Sequence, residues 1–122
     1  MKYLCLVYYD EQIMKNMTQQ EWDALNRECI GCVEGLNNSG HYLDGAPLQT
    51  TDTASTVRVR EGKALITDGP FAETKEQLAG FYMLEASGKE EAIELAKKIP
   101  PARYGSVEVR PVRDLLAEEN IL

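Results

Sequence analysis

Residues 2–9, KYLCLVYY, are apolar at nearly every position and rich in aromatic and β-branched side chains, which predicts a β-strand. Alternate residues fall on opposite faces, with Tyr3, Cys5, Val7 and Tyr9 on one and Leu4, Leu6 and Tyr8 on the other. Both faces are apolar, so the strand is expected to be covered on two sides. The period then changes. Across residues 18–39, Trp22, Leu25, Cys29, Cys32 and Leu36 recur at helical spacing and form one stripe. Thr18 and Glu21 have capping-box spacing at the start of this helix, and Gly40 suits the left-handed position at its end.

Residues 41–48, HYLDGAPL, predict a short strand. Thr56–Arg60 alternates Val with Arg, Glu61-Gly62-Lys63 is a turn and Ala64–Thr67 returns, which together predict a hairpin with one exposed face. Leu78–Glu85 is a second strand with both faces largely apolar. Ser87 and Glu90 repeat the capping-box spacing before a helix carrying Ala92, Ile93, Ala96 and Ile99, which Pro100-Pro101 stops. Ser106–Val112 predicts a last strand, and 114–120 a short helical tail.

Strand, helix, strand, hairpin, strand, helix, strand describes an α+β two-layer sandwich of ferredoxin-like type with an inserted β-hairpin, a single domain over 1–122. Two helices cover one face of such a sheet. The double-sided apolarity of residues 3–9 and 78–84 therefore predicts a homodimer packed through the sheets, burying about 1,600 Å² or more.

Composition narrows the classes of function. Thirteen Lys and Arg against twenty Asp and Glu give a net charge of −7, which argues against nucleic acid or an anionic membrane as partner. Hydrophobic residues make up 43% and charged residues 27%, as in an ordinary globular domain. No apolar run approaches the ~20 residues that span a bilayer. The apolar stretch Tyr3–Tyr9 is broken by Asp10 and Glu11 without a small-residue cleavage site, so it does not read as a signal peptide. Three cysteines, an odd number, fit a reducing cytoplasm.

The residues that could carry chemistry are few. Cys29-Ile30-Gly31-Cys32 matches C-x-x-C, but both thiols fall on the apolar stripe in the second half of the helix, away from the N-terminus that would stabilise a thiolate. Core packing is the better reading, and a zinc site recruiting Cys5 and His41 has no ligand spacing behind it. His41, the one histidine, follows the helix terminator and reads as a cap or a surface residue. No nucleotide-binding motif occurs, so any chemistry is expected to be cofactor-free.

The most unusual segment is Asp68-Gly69-Pro70-Phe71-Ala72-Glu73-Thr74-Lys75-Glu76. Asp-Gly-Pro after a strand is a turn, and Thr74 with Gln77 has the spacing of a capped helical turn. A solvated loop is one reading of its charges. The other is the rim of a small-molecule pocket, with Asp68 or Glu73 as general base and Lys75 holding an anion.

DGPFAETKEQLAGFYMLE resembles the signature of the DGPF branch of the YCII-related family, and MKYLCLVYYDE, SGHYLDGAPLQ, TVRVREGKALITDGPF and IPPARYGSVEVRPVRDL extend the resemblance over nearly the whole chain. The resemblance implies a bacterial protein with a dimeric α+β barrel fold, often encoded beside extracytoplasmic-function sigma factors. The wider group is proposed to use a His–Asp dyad. Asp68 matches the acidic position before the Gly-aromatic strand, here Gly80-Phe81, but residues 18–39 hold no histidine. Asp68 would then have to work with Glu73, Lys75 or Tyr82. Two functions stay open: a cofactor-free acid–base enzyme of isomerase, lyase or dehalogenase type, and a non-catalytic ligand- or partner-binding module in sigma-factor-linked signalling. The net charge makes an anionic substrate the weaker version of the first.

Overall fold

The computed structural model describes residues 1–117. The elements in chain order are β1 (Lys2–Tyr9), α1 (Glu11–Lys15), α2 (Gln19–Asn38), β2 (Tyr42–Pro47), β3 (Ser55–Arg60), β4 (Lys63–Asp68), β5 (Gln77–Glu85), α3 (Lys89–Ala96) and β6 (Ser106–Pro111), with 3₁₀ turns at Thr51–Thr53 and Pro100–Arg103. Four strands form one antiparallel sheet in the order β2-β5-β1-β6, and β3 with β4 forms a separate ribbon. This is the ferredoxin-like α+β sandwich with the hairpin inserted between β2 and β5.

The central pair sets the two faces. Tyr3 lies opposite Leu84, Cys5 opposite Tyr82 and Val7 opposite Gly80, so these residues share one face. Tyr3, Cys5, Val7 and Leu84 are buried there with Leu36 of α2 and with Ala92, Leu95, Ala96 and Ile99 of α3 and its exit. On the opposite face, Leu4, Leu6 and Tyr8 line up with Met83, Phe81 and Leu78, and no element of the described chain seals them off.

Thr18 and Glu21 form the expected capping box: the Glu21 N–H donates to Thr18 Oγ1 at 3.1 Å and the Thr18 N–H to Glu21 Oε1 at 3.0 Å. These bonds hold the Glu21 carboxyl below its usual range. Gly40 takes φ +80, and the His41 N–H closes the helix end on the Leu36 carbonyl at 2.9 Å.

Several local expectations change. The second helix begins one residue later, because Gly88 is its N-cap and Glu91, rather than Glu90, reaches back to the Ser87 N–H. Its buried residues are Ala92, Leu95 and Ala96, while Ile93 turns outward. Pro100 and Pro101 do more than stop this helix, since both are buried in a 3₁₀ turn. Thr74 opens no helical turn: its hydroxyl donates to the Glu76 carbonyl and Gln77 already begins β5. The short helix α1 goes unforeseen; Asp10 caps it by accepting from the Gln12 N–H. The hairpin turn is Glu61-Gly62 alone, both at positive φ, as a two-residue turn matched to strand twist requires. Of the expected helical tail, 115–117 form a turn and 118–120 lie outside the described residues.

Leu84 is fully buried at the junction of sheet, α2 and α3. Leu84→Ala is expected to destabilise the protein by about 2–5 kcal/mol in urea unfolding, and Thr18→Ala by about 1 kcal/mol through loss of the cap.

Candidate functional site

The stripe on α2 is not uniformly sealed. Leu25 and Leu36 are buried, but Trp22 before them and Cys29 and Cys32 between them are only half-buried. The helix stands away from the sheet along this stretch and leaves a cleft of about 500 Å³. Its roof is α2, with Trp22, Leu25, Asn26, Cys29 and Val33. Its floor is the helix-facing side of the sheet, with Val7 and Tyr9 from β1, Tyr42 and Gly45 from β2, and Gly80 and Tyr82 from β5. The size is that of a small-molecule site.

Two glycines shape the floor. Gly45 lies opposite Tyr82, and Pro47 opposite Gly80, so Gly45 and Gly80 sit diagonally across the β2–β5 pair. A Cβ on Gly80 would meet the Ala46 carbonyl oxygen at 2.8 Å, and one on Gly45 would meet the Phe81 carbonyl oxygen at 2.9 Å. The close approach of the two backbones demands glycine at both places; at Gly45 the space a side chain would take is held by the Tyr42 phenol, whose oxygen lies 2.8 Å from such a Cβ. A bulge at Ala79, between the Val7–Gly80 and Tyr8–Leu78 pairs, bends β5 at the same edge.

Three tyrosines furnish the polar points of this apolar space. The Tyr42 and Tyr82 rings meet edge to face, with centroids 6.3 Å apart and an interplanar angle of 86°. No hydrogen bond joins the hydroxyls of Tyr9, Tyr42 and Tyr82 to another described residue, and since no buried side-chain polar atom among the described residues lacks a partner, all three are open to the cleft's solvent. Burial raises all three phenols above their ordinary range, with the Cys29 sulfur a further contribution at Tyr9 and Tyr82. Burial raises the Cys29 and Cys32 thiols as well. These groups hold their protons at neutral pH, and the cleft interior is uncharged. Neither cysteine has the depressed value of a redox thiol; Cys32 packs against the core as the sequence suggests, whereas Cys29 lines the cleft.

A second, polar cavity of about 250 Å³ lies where the segment after β4 meets α1. Asp10, Glu11, Lys15, Thr51, Glu73 and Thr74 contribute to its lining. The Glu11 carboxylate accepts from the Thr51 N–H at 2.9 Å and from its hydroxyl at 2.6 Å, and the Glu11 N–H donates to Gln77 Oε1 at 2.9 Å.

The residues singled out in the sequence are thus divided. Tyr82 lines the apolar cleft and Glu73 the polar cavity. Asp68 ends β4 opposite Ser55, exposed, and lines neither. Lys75 is exposed and also lines neither. Gly69, at φ +98, ties the base of the hairpin, its N–H donating to the Ala54 carbonyl at 2.7 Å and its own carbonyl accepting from the Thr56 hydroxyl at 2.8 Å. The His41 ring faces away from the cleft lining, with Nδ1 2.9 Å from the Glu85 carbonyl oxygen. Among the described residues no cluster of three or more His, Cys, Asp or Glu is placed to hold a metal, and no helix is long and apolar enough to cross a membrane. Sequence reasoning passed over Tyr9, Tyr42, Gly45 and Gly80; glycines inside apolar strands were the signal for them.

Comparison with known proteins gives two matches. The model of the family described as the YCII-related domain matches residues 1–116. An uncharacterized protein of Rhizobium meliloti (strain 1021) is 35% identical over 114 residues, covering 92% of this chain and 92% of that protein.

Two outcomes follow from the burial of these groups. Tyr82→Phe is expected to change stability by less than about 0.5 kcal/mol, since the hydroxyl it removes has no partner among the described residues. Cys5, fully buried, has its thiol pushed up by desolvation from 9.0 to about 11. The unfolded chain therefore loses this proton first, so stability that is complete below pH 9 falls as pH rises towards about 11. Urea midpoints measured across that window are expected to fall less steeply in Cys5→Ala.

Proposed function

The chain belongs to the YCII-related family, and from that premise we propose that it is a small-molecule-binding protein whose ligand lies in the cleft between α2 and the sheet. The observation that carries this reading is the combination of about 500 Å³ of apolar space with three tyrosine hydroxyls left without partners by the described chain. A well-packed interior fills such space, and the hydroxyls, which are not among the buried atoms, stay open to whatever occupies it. A ligand would fill the space and pair the hydroxyls. The protein is read as a member of the DGPF branch, cytoplasmic and bacterial, acting as a ligand-binding module.

The acid–base reading is second. It is favoured by one observation, that Glu73 lines the polar cavity together with Lys15. That reading asks Asp68, Lys75 and Tyr82 to work with Glu73, and of the four only Glu73 lines this cavity. The binding reading is preferred because the shifted groups lining the cleft are phenols and thiols moved away from neutrality, whereas proton transfer at pH 7 is best served by a group that titrates near it.

A homodimer joined through the open sheet face belongs to the same proposal. Leu4, Leu6 and Tyr8 with Phe81 and Met83 offer it a continuous apolar surface, only half-covered in the single chain. An interface of about 1,600 Å² is standard for a stable pair.

Fragment screening by ¹H–¹⁵N correlation spectroscopy tests the site. Ligand-induced shifts are expected at Tyr9, Cys29 and Tyr82. Shifts confined to Glu11, Glu73 and Thr74 would favour the acid–base reading instead. Light scattering at micromolar concentration is expected to return twice the chain mass, and a monomer would overturn the dimer.

A further inference from the structure

The class of ligand can be argued from the same cleft, and this step rests on its being the binding site. No lysine, arginine or histidine lines it, and its one carboxylate, Glu34, is exposed at the rim. An anion entering would lose its water without meeting a cation, inside a molecule of net charge −7. The floor is bare backbone at Gly80, the Tyr42 phenol lies over Gly45, and the Tyr42–Tyr82 edge-to-face pair with Trp22 opposite bounds a space shaped for a flat body. The phenol protons of Tyr9, Tyr42 and Tyr82 are donors without an acceptor among the described residues.

We propose that the cleft takes a neutral, flat ring compound bearing a carbonyl oxygen, with the ring laid over Gly80 beside the Tyr42 phenol and beneath Trp22, and the oxygen accepting from Tyr82. Tyr9 and Tyr42 supply further donors at the same cleft. An uncharged hydrocarbon would fill the space but leave the hydroxyls unpaired, so it binds more weakly. A carboxylate in the carbonyl's place binds more weakly still, because its charge has no partner.

Trp22 is the chain's one tryptophan, so its indole N–H gives a single cross-peak that reports on the roof of the cleft. Titration of the full chain with 2-acetylnaphthalene, naphthalene, 2-naphthoate and N-methylquinolinium, followed at that peak, separates the possibilities. The ketone is expected to bind about tenfold more tightly than naphthalene, a ratio matching one well-made hydrogen bond, and to exceed both ions. Tyr82→Phe is expected to reduce ketone affinity to about that of naphthalene while leaving naphthalene unchanged. Preference for 2-naphthoate, or for N-methylquinolinium through the aromatic walls, would overturn the ligand class while keeping the cleft as the binding site. Equal binding of ketone and naphthalene would overturn the donor role of Tyr82. If none of the probes moves the Trp22 peak, the cleft itself is not the site and both readings fall.

Discussion

The pairing of β1 with β5 in one register is the constraint on which the rest of the molecule depends. A slip of a single residue would carry Tyr3, Cys5 and Val7 to the opposite face and leave α2 and α3 without a core. Both strands are apolar on both faces, so hydrophobicity alone distinguishes the alternatives poorly. Position-specific features act on the neighbouring pairings. Gly80 must lie where β2 comes closest, and Gly105 cannot accept a Cβ because the Tyr8 carbonyl oxygen is 2.0 Å from where it would be. These contacts fix β5 against β2 and the entry to β6 against β1, the two pairings that flank the β1–β5 register.

The cleft is a consequence of the same register. Val7 opposite Gly80 and Cys5 opposite Tyr82 put one small position and one large aromatic side by side under α2. The helix is anchored at Leu25 and Leu36, which are buried, while the residues between them bridge the cleft. Chemical character follows as well. The interior receives phenols and thiols rather than charges, and the ionisable side chains gather in the separate polar cavity beside α1. One small sheet thus supports two spaces of opposite character, both reached from β1 and β5.

Much of this fold was legible in the sequence, and the site was not. Strands 2–9 and 78–85, the helix capped by Thr18 and the hairpin all announce themselves through period, cap and turn, because each signal is local. The small departures are local too: Gly88 takes the cap that Ser87 was expected to hold, since the chain's entry angle decides the cap and sequence spacing does not. The cleft depends on positions distant in sequence meeting across a sheet. Tyr9, Tyr42 and Tyr82 have nothing in common until β1, β5 and β2 are placed in order. The Asp68–Glu76 segment drew attention by its composition, yet the structure puts its members in different settings. Asp68 and Gly69 close the base of a hairpin, Glu73 lines the polar cavity, and Glu76 accepts a hydrogen bond from the Ser106 hydroxyl.

The glycine floor has an evolutionary consequence. Gly45 and Gly80 are locked by backbone contacts that any side chain would violate, so selection cannot alter the cleft at these two positions without breaking the sheet. The roof is under no such restriction. Trp22, Asn26, Cys29 and Val33 stand on a helix held in place by other residues, and each can be exchanged without touching a strand. Differences in the cleft's shape among relatives of this chain should therefore be written along one face of one helix and on the side chains around the two glycines, with the glycines themselves unchanged.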